Sequence, residues 1–162
     1  MSVNKYARHI VVLPEDDANR QIANGFLLGS NLNSRSVQIL PPARGWLKVL
    51  NAFTKVHVPK MRQVPNRMIV LLMDFDRKED RFTDVGKEIP GDVKDRVFVL
   101  GVLSEPEELK RDTGKSFEDI GKILAKDCSE NTNELWKHDL LKHNETELER
   151  MILSVKPFLF GA

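Results

Sequence analysis

Apolar positions along the chain gather into four short runs: "HIVVL" (9–13), "SVQIL" (36–40), "MIVLLM" (68–73) and "RVFVLGVL" (96–103). Each run is continuously apolar rather than alternating, which is the pattern of strands buried on both faces in a mostly parallel sheet. Between them the apolar spacing turns helical. After Pro14, Asp16 or Asp17 caps a helix whose Ala18, Ile22, Ala23 and Phe26 share one face, with Gly29 as its terminator. "RGWLKVLNAFTKV" puts Trp46, Val49, Leu50 and Phe53 on one helical face, and Pro59 and Pro65 mark its exit loop. Residues 77–95 are polar, hold Gly86, Pro90 and Gly91, and read as a long loop with room for one helical turn. "EPEELKRDTGKSFEDIGKILAKDC" predicts a short helix, a Thr-Gly turn and a second helix capped by Ser116. From Asn133 onward Leu135, Trp136, Leu140, Leu141, Leu148, Met151, Ile152 and Val155 predict an amphipathic helical segment that Pro157 stops.

Strands alternating with helices predict an α/β fold. The expected architecture is Rossmann-like, a mostly parallel sheet of about four strands with helices on both faces. The third strand should be central and the crossovers right-handed. The 162 residues fit one domain, 1–162, with a helical C-terminal extension over about 133–162. Repeats and low-complexity tracts are absent from the sequence.

Composition narrows the function classes only a little. With 41% hydrophobic and 30% charged residues and a formal charge of +1, no global field advertises nucleic acid or a membrane. A single cysteine, Cys128, excludes an internal disulfide framework and suits a reducing cytosol; late in a helix, it is expected to be a small buried residue. The N-terminus shows no apolar secretion signal, and no run approaches the ~20 apolar residues of a membrane span. The expectation is a cytoplasmic domain without a membrane partner.

The acids carry more information. In open parallel sheets, sites form at the carboxyl ends of the strands. Glu15, Asp16 and Asp17 follow the first run, Asp74 and Asp76 the third, and Glu105, Glu107 and Glu108 the fourth. Carboxylates from the first and third strands can therefore converge on one edge. Like charges held close raise one another's pKa or recruit a cation. Oxygen ligands without His or Cys nearby in sequence favour magnesium or manganese. An Asp-x-Asp after a strand is equally a common cap or turn, and acids at loop starts are commonly just solvated.

Two families share such an arrangement. Asp16-Asp17, Asp74 and "VKPF" with Lys156 parallel the acidic pair, phospho-accepting Asp and Lys-Pro of response-regulator receiver domains. Here, however, Lys156 follows a helix and no Met-Pro step follows Asp74. The TOPRIM domain fits better: a strand ending in Glu at the head of a helix, then a strand ending in Asp-x-Asp. "VVLPEDDANRQIANGF" with Glu15 and "IVLLMDFD" with Asp74 and Asp76 resemble that pattern. "ILPPARGWLKVLNAF" and "VFVLGVLSEPEEL" with "GKSFEDI" look like further parts of small stand-alone TOPRIM-related proteins, so the resemblance spans roughly residues 8 to 128. Asp16 stands where the family usually has Gly, and Arg77-Lys78 where Gly often follows the Asp-x-Asp.

The resemblance implies magnesium- or manganese-dependent phosphoryl transfer on DNA or RNA. Asp74 and Asp76 would hold the metal, and Glu15 would complete the shell or act as general base. Because Tyr6 is the one tyrosine and precedes the first strand, hydrolysis by water is the expected reaction. Arg77, Lys78, Arg81, Lys110, Arg111 and Lys115 could meet phosphates, or simply keep the surface solvated. His138 and His143, i and i+5 on a helix, do not suit a two-His metal site, and Trp46 and Trp136 read as packing residues. The alternative class is a metal-binding or protein-interaction module without turnover, favoured by the substituted glycine and the near-neutral charge.

Overall fold

The computed structural model of the protein describes residues 3–29, 32–78 and 80–160. The four apolar runs form β1 (His9–Pro14), β2 (Val37–Ile39), β3 (Arg67–Leu72) and β4 (Val97–Leu100). All pairs are parallel, in the order β2-β1-β3-β4, so β1 and β3 share the interior of the sheet. The fold is the α/β, Rossmann-like arrangement that the patterning predicts.

Side chains alternate across a strand, and β1, β3 and β4 each feed two cores. Leu13, Ile69, Leu71, Met73, Val97 and Val99 face one side, against Val49, Phe53, Met61 and Val85. Ile10, Met68, Val70, Phe98 and Leu100 face the other, against Leu148, Met151 and Val155. The helices that supply these partners are α2 (Trp46–Ala52), α3 (Val58–Gln63) and α4 (Asp80–Lys87) on the first side, and α7 (Glu145–Leu159) on the second. Continuous apolar runs are the sequence signature of this two-sided burial.

A third cluster joins α1 (Asp17–Leu27), α5 (Pro106–Thr113) and α6 (Phe117–Glu130) through Ile22, Leu109, Ile120 and Leu124. Helices α1 and α6 touch backbone to backbone. A Cβ on Gly25 would lie 2.0 Å from Glu118 O, and one on Gly121 would lie 2.0 Å from Ile22 O. Gly29 belongs to the same seam. As expected it stands at the end of α1, just after the Leu28 cap, its N–H donating to Phe26 O (3.0 Å), and a Cβ there would meet Ala125 Cβ at 2.5 Å. It therefore adds to the close approach.

Four boundaries differ from the sequence reading. Pro59 does not end the second helix: the chain passes through a π-turn, Phe53–His57, with Val58 N–H donating to Phe53 O, and continues as α3. Pro59 sits in the first turn of α3, directly after the π-turn. The expected loop at 77–95 contains the eight-residue α4, whose Arg81 and Val85, four apart, face inward, while Phe82 is exposed. The C-terminal helix begins at Glu145 rather than near Asn133. Residues 133–141 are turns because the buried Asp127 carboxylate accepts from Thr132 Oγ1 (2.8 Å) and from the N–H groups of Glu134 (3.1 Å) and Leu135 (2.8 Å). Leu135, Leu140 and Leu141 are buried all the same. Pro157 lies inside α7, which runs two residues further, to Leu159.

Along the outer edge of β4, side chains take the place of a fifth strand. Glu147 Oε2 accepts from Val99 N–H (3.0 Å), and Arg150 donates to Val97 O. Asn144 brackets Gly101, accepting from its N–H (3.1 Å) and donating to its carbonyl (2.9 Å).

The glycine seam generates the first prediction. Gly121→Ala forces α1 and α6 apart and should destabilise the protein by about 2 kcal/mol, lowering Tm by roughly 4–8 °C. Gly86→Ala, in α4, meets nothing within 4 Å and should be neutral or slightly stabilising in the same thermal melt.

Candidate metal centre at the carboxyl edge of the sheet

Register places the acids. Pro14 is paired with Leu72, so the chain leaves β1 and β3 side by side at the same edge. Glu15 N–H donates to Leu72 O (2.8 Å), and Asp74 N–H donates to Glu15 Oε1 (3.0 Å). Beyond β3 the backbone keeps pairing with the β4 side, Met73 N–H to Leu100 O and Phe75 N–H to Val102 O. Asp74 is thus held in an extended conformation with its carboxyl turned toward the start of α1, and it is buried.

Asp16 caps α1, its Oδ1 accepting from Asn19 N–H at 2.9 Å. The Asn19 side chain is fully buried and bridges two acids: Nδ2 donates to Asp16 Oδ1 (3.0 Å) and to Asp74 Oδ1 (2.9 Å). Carboxylate oxygens of Glu15, Asp16 and Asp74 all lie within 4.8 Å of one another. Three of the five expected ligands therefore meet.

The other two are turned to arginines. Asp17 is exposed, pairs with Arg20 (2.6 Å) and accepts from Gln21 (2.7 Å), which keeps its carboxyl below the usual range. Asp76 Oδ2 accepts from Arg81 (2.9 Å). Arg81 also donates to Asp74 O (2.8 Å) and lies over the Trp46 ring at 4.5 Å. Only 5% exposed, it serves as the internal counter-charge of the Asp-x-Asp loop and does not offer itself to a phosphate. The same loop is bent: Asp76 and Arg77, neither of them glycine, have φ of 49° and 57°. Two successive left-handed residues are costly and persist only where the surroundings enforce them. Here Asp76 N–H and Arg77 N–H donate to Ser104 O and Leu103 O, and Arg77 pairs with Glu108 (2.7 Å).

The electrostatics follow from the burial. Burial is the main cause that lifts the Asp74 pKa to about 8; the Asn19 bond opposes it, and the charges of Asp16, Glu15 and Glu107 add to it. Glu15 is also raised, first by burial, then by Asp16, against the pull of the Asp74 N–H. Asp74 is thus a proton-holding acid at neutral pH, and a site with excess negative charge when it ionises. Such a trio can hold a proton or a hard divalent cation.

Asn19 and Arg81 are the functional residues that spacing did not single out. Asp16-x-x-Asn19 is the local signature of a capped helix start, but nothing local announces a partner 55 residues away. Arg81 was grouped with surface cations, and its burial follows from the unexpected helix α4. Cys128 is buried as expected, and burial pushes its thiol up to about 12.

Stability of the metal-free protein should fall as pH rises. Between about 4 and about 8 the folded state retains the Asp74 proton that the unfolded chain has released, so each step upward in pH favours unfolding. Asp74→Asn keeps an acceptor for Asn19 and removes the charge. It should leave Tm near that of the parent at pH 4 and raise it at pH 8, shown by melts across that range. A variant less stable than the parent at pH 8 would mean that the Asp74 carboxylate supports the fold.

Compared with known proteins, the chain matches no family model, no curated protein and no solved structure.

Proposed function

We propose that Glu15, Asp16 and Asp74 bind one divalent cation, magnesium or manganese, and that the protein is a small metal-dependent nuclease acting on DNA or RNA. The observation that carries the reading is the convergence of three carboxylates, within 4.8 Å, from the ends of the two inner strands. The donor set fits a hard cation, because it is all oxygen. The TOPRIM-like order of Glu15 and the Asp-x-Asp supplies the nucleic-acid part of the proposal.

Bound there, the cation would offset phosphate charge and acidify a water. The chain's own groups do the rest. Glu15, with one oxygen fixed by the Asp74 N–H and its pKa raised by burial, is the group suited to accept a proton from an attacking water. Asn19 orients Asp16 and Asp74 through one amide nitrogen. Lys78, on the loop after β3, Lys110 and Arg111, in the last turn of α5, and Lys115, just beyond it, are exposed, where a phosphate backbone would run. Such contacts give modest, salt-sensitive affinity.

A second reading is a metal-binding or interaction module without turnover. It is favoured by Arg81, which already occupies Asp76, and by Glu108, which occupies Arg77. Cleavage decides between the two.

Magnesium or manganese should raise Tm by linkage, and Asp74→Asn should abolish the shift while Asp17→Asn leaves it intact. Cation affinity should climb with pH up to about 8, by about tenfold per unit, because binding expels the Asp74 proton. Calorimetry at several pH values measures it, and a pH-independent affinity would place the ion elsewhere.

For activity, single-stranded and duplex DNA and RNA are incubated with either metal. Nicking or degradation that chelation stops and Glu15→Gln eliminates, with nucleic-acid binding largely kept, is the expected outcome. Metal binding without cleavage of any substrate would leave the module reading in its place.

A further inference from the structure

The edge of the sheet opposite the acids is cationic. His9 opens β1 and is paired in register with Arg67, which opens β3. The histidine is buried, at 1% exposure, and both ring nitrogens are committed. Nδ1 lies 2.8 Å from Ala7 O, and Nε2 lies 3.1 Å from Arg67 Nε. A guanidinium can only donate, and a carbonyl can only accept. Nε2 must therefore be the bare acceptor, and Nδ1 must carry the hydrogen. His9 is fixed as one neutral tautomer. The charged groups around it reinforce this. Arg96, just before β4, donates to Arg67 O (2.8 Å), and His57, in the π-turn, feels the Arg67 charge. From the segment before β1, Arg8 lies over the Phe158 ring and Lys5 over that of Tyr6. Asp92, the acid beside Arg96, is paired with Arg62. Among the described residues no carboxylate forms an ion pair with Arg67 or Arg96.

We propose that His9 is an acid-released lock on the segment before β1: neutral, its ring ties the Ala7 carbonyl to Arg67, and protonated, it must leave Arg67 and let residues 4–8 come away. A proton on Nε2 would set N–H against N–H across 3.1 Å and bring two positive charges together. Relief is easiest toward the segment, because few bonds hold it. Asn66 Nδ2 donates to Tyr6 O (3.1 Å), and His9 N–H donates to Asn66 O (3.2 Å). Ala7 N–H bonds only within the segment, to Asn4 O (3.1 Å), and Tyr6 is 82% exposed. Arg67 cannot yield as readily, since it belongs to an inner strand and its carbonyl is claimed by Arg96. Burial is the main cause that holds the His9 pKa below 6.5; the Ala7 bond opposes it, and Arg67 adds to it. A released ring takes up a proton near 6.5 that the seated ring refuses, so the lock holds above about 6.5 and weakens as pH falls below it. That sign is opposite to the one at Asp74, and the lock is independent of whether a metal binds at the acids.

The test uses the metal-free, full chain labelled with nitrogen-15. Ring spectra at pH 7 should show the His9 hydrogen on Nδ1 and a bare Nε2. Exchange of the Ala7 and His9 amides, corrected for its intrinsic pH dependence, should lose protection by about tenfold from pH 7 to pH 5, while the amides of β3 stay protected. His9→Gln cannot titrate, and its protection should be equal at the two pH values. Should that variant fail to fold, Arg67→Gln serves instead. Its amide can turn either end to the ring, so a charged His9 stays seated; His9 should then titrate at higher pH, and the segment should remain protected at pH 5. A hydrogen on Nε2 at pH 7, equal protection at pH 7 and pH 5 in the parent, a loss spread over the whole sheet, or a loss that persists in either folded variant would each overturn the proposal.

Discussion

A carboxyl group inside a protein must be neutral, paired or hydrogen-bonded, and the rest of this edge is arranged around that requirement at Asp74. Its partner is an amide, not a cation. Asn19 donates to Asp74 and Asp16 together, tying the end of β3 to the start of α1 across 55 residues of chain. The Arg81 guanidinium is drawn off to the Asp74 carbonyl and to Asp76. What remains is a pocket of negative charge that a proton relieves at neutral pH. A hard cation would relieve it by taking the proton's place.

This arrangement is only as exact as the seating of α1. The Asp16 cap and Asn19 both belong to the first turn of that helix, and its position is set further along, by the Gly25 and Gly121 contacts with α6. Two hydrogen atoms in place of side chains let the backbones approach to a distance no other residue allows. Acid cluster and bridging amide both depend on that one helix placement.

The strands were legible because burial on two faces leaves an unbroken apolar run, and the carboxyl-edge rule then located Glu15, Asp16 and Asp74 from order alone. Elements that rest on a single long-range bond were not legible. Asp127 draws the N–H groups of residues 134 and 135 into turns, and a polar carboxylate seven or eight residues upstream carries no periodic signal. Helix α4 escaped because it is short and one of its two buried positions is Arg81, a charged residue that reads as surface. Pro59 misled because the chain enters it from a π-turn rather than from a regular α-helix. With α4 unseen, Arg81 looked like a surface charge rather than the partner of Asp76.

The last feature is the edge of β4. A terminal strand is normally a template that another chain can copy, because its outward N–H and C=O groups are unclaimed. Here Val97 O, Val99 N–H and both polar groups of Gly101 are already claimed by Arg150, Glu147 and Asn144 from α7 and the turn before it. The sheet therefore has a polarity of growth. One flank is sealed by side chains that mimic a neighbour, and among the described strands the short β2 is the other edge. Strand addition at the β4 flank is blocked, and α7 acts as a stopper as well as a cover for the core.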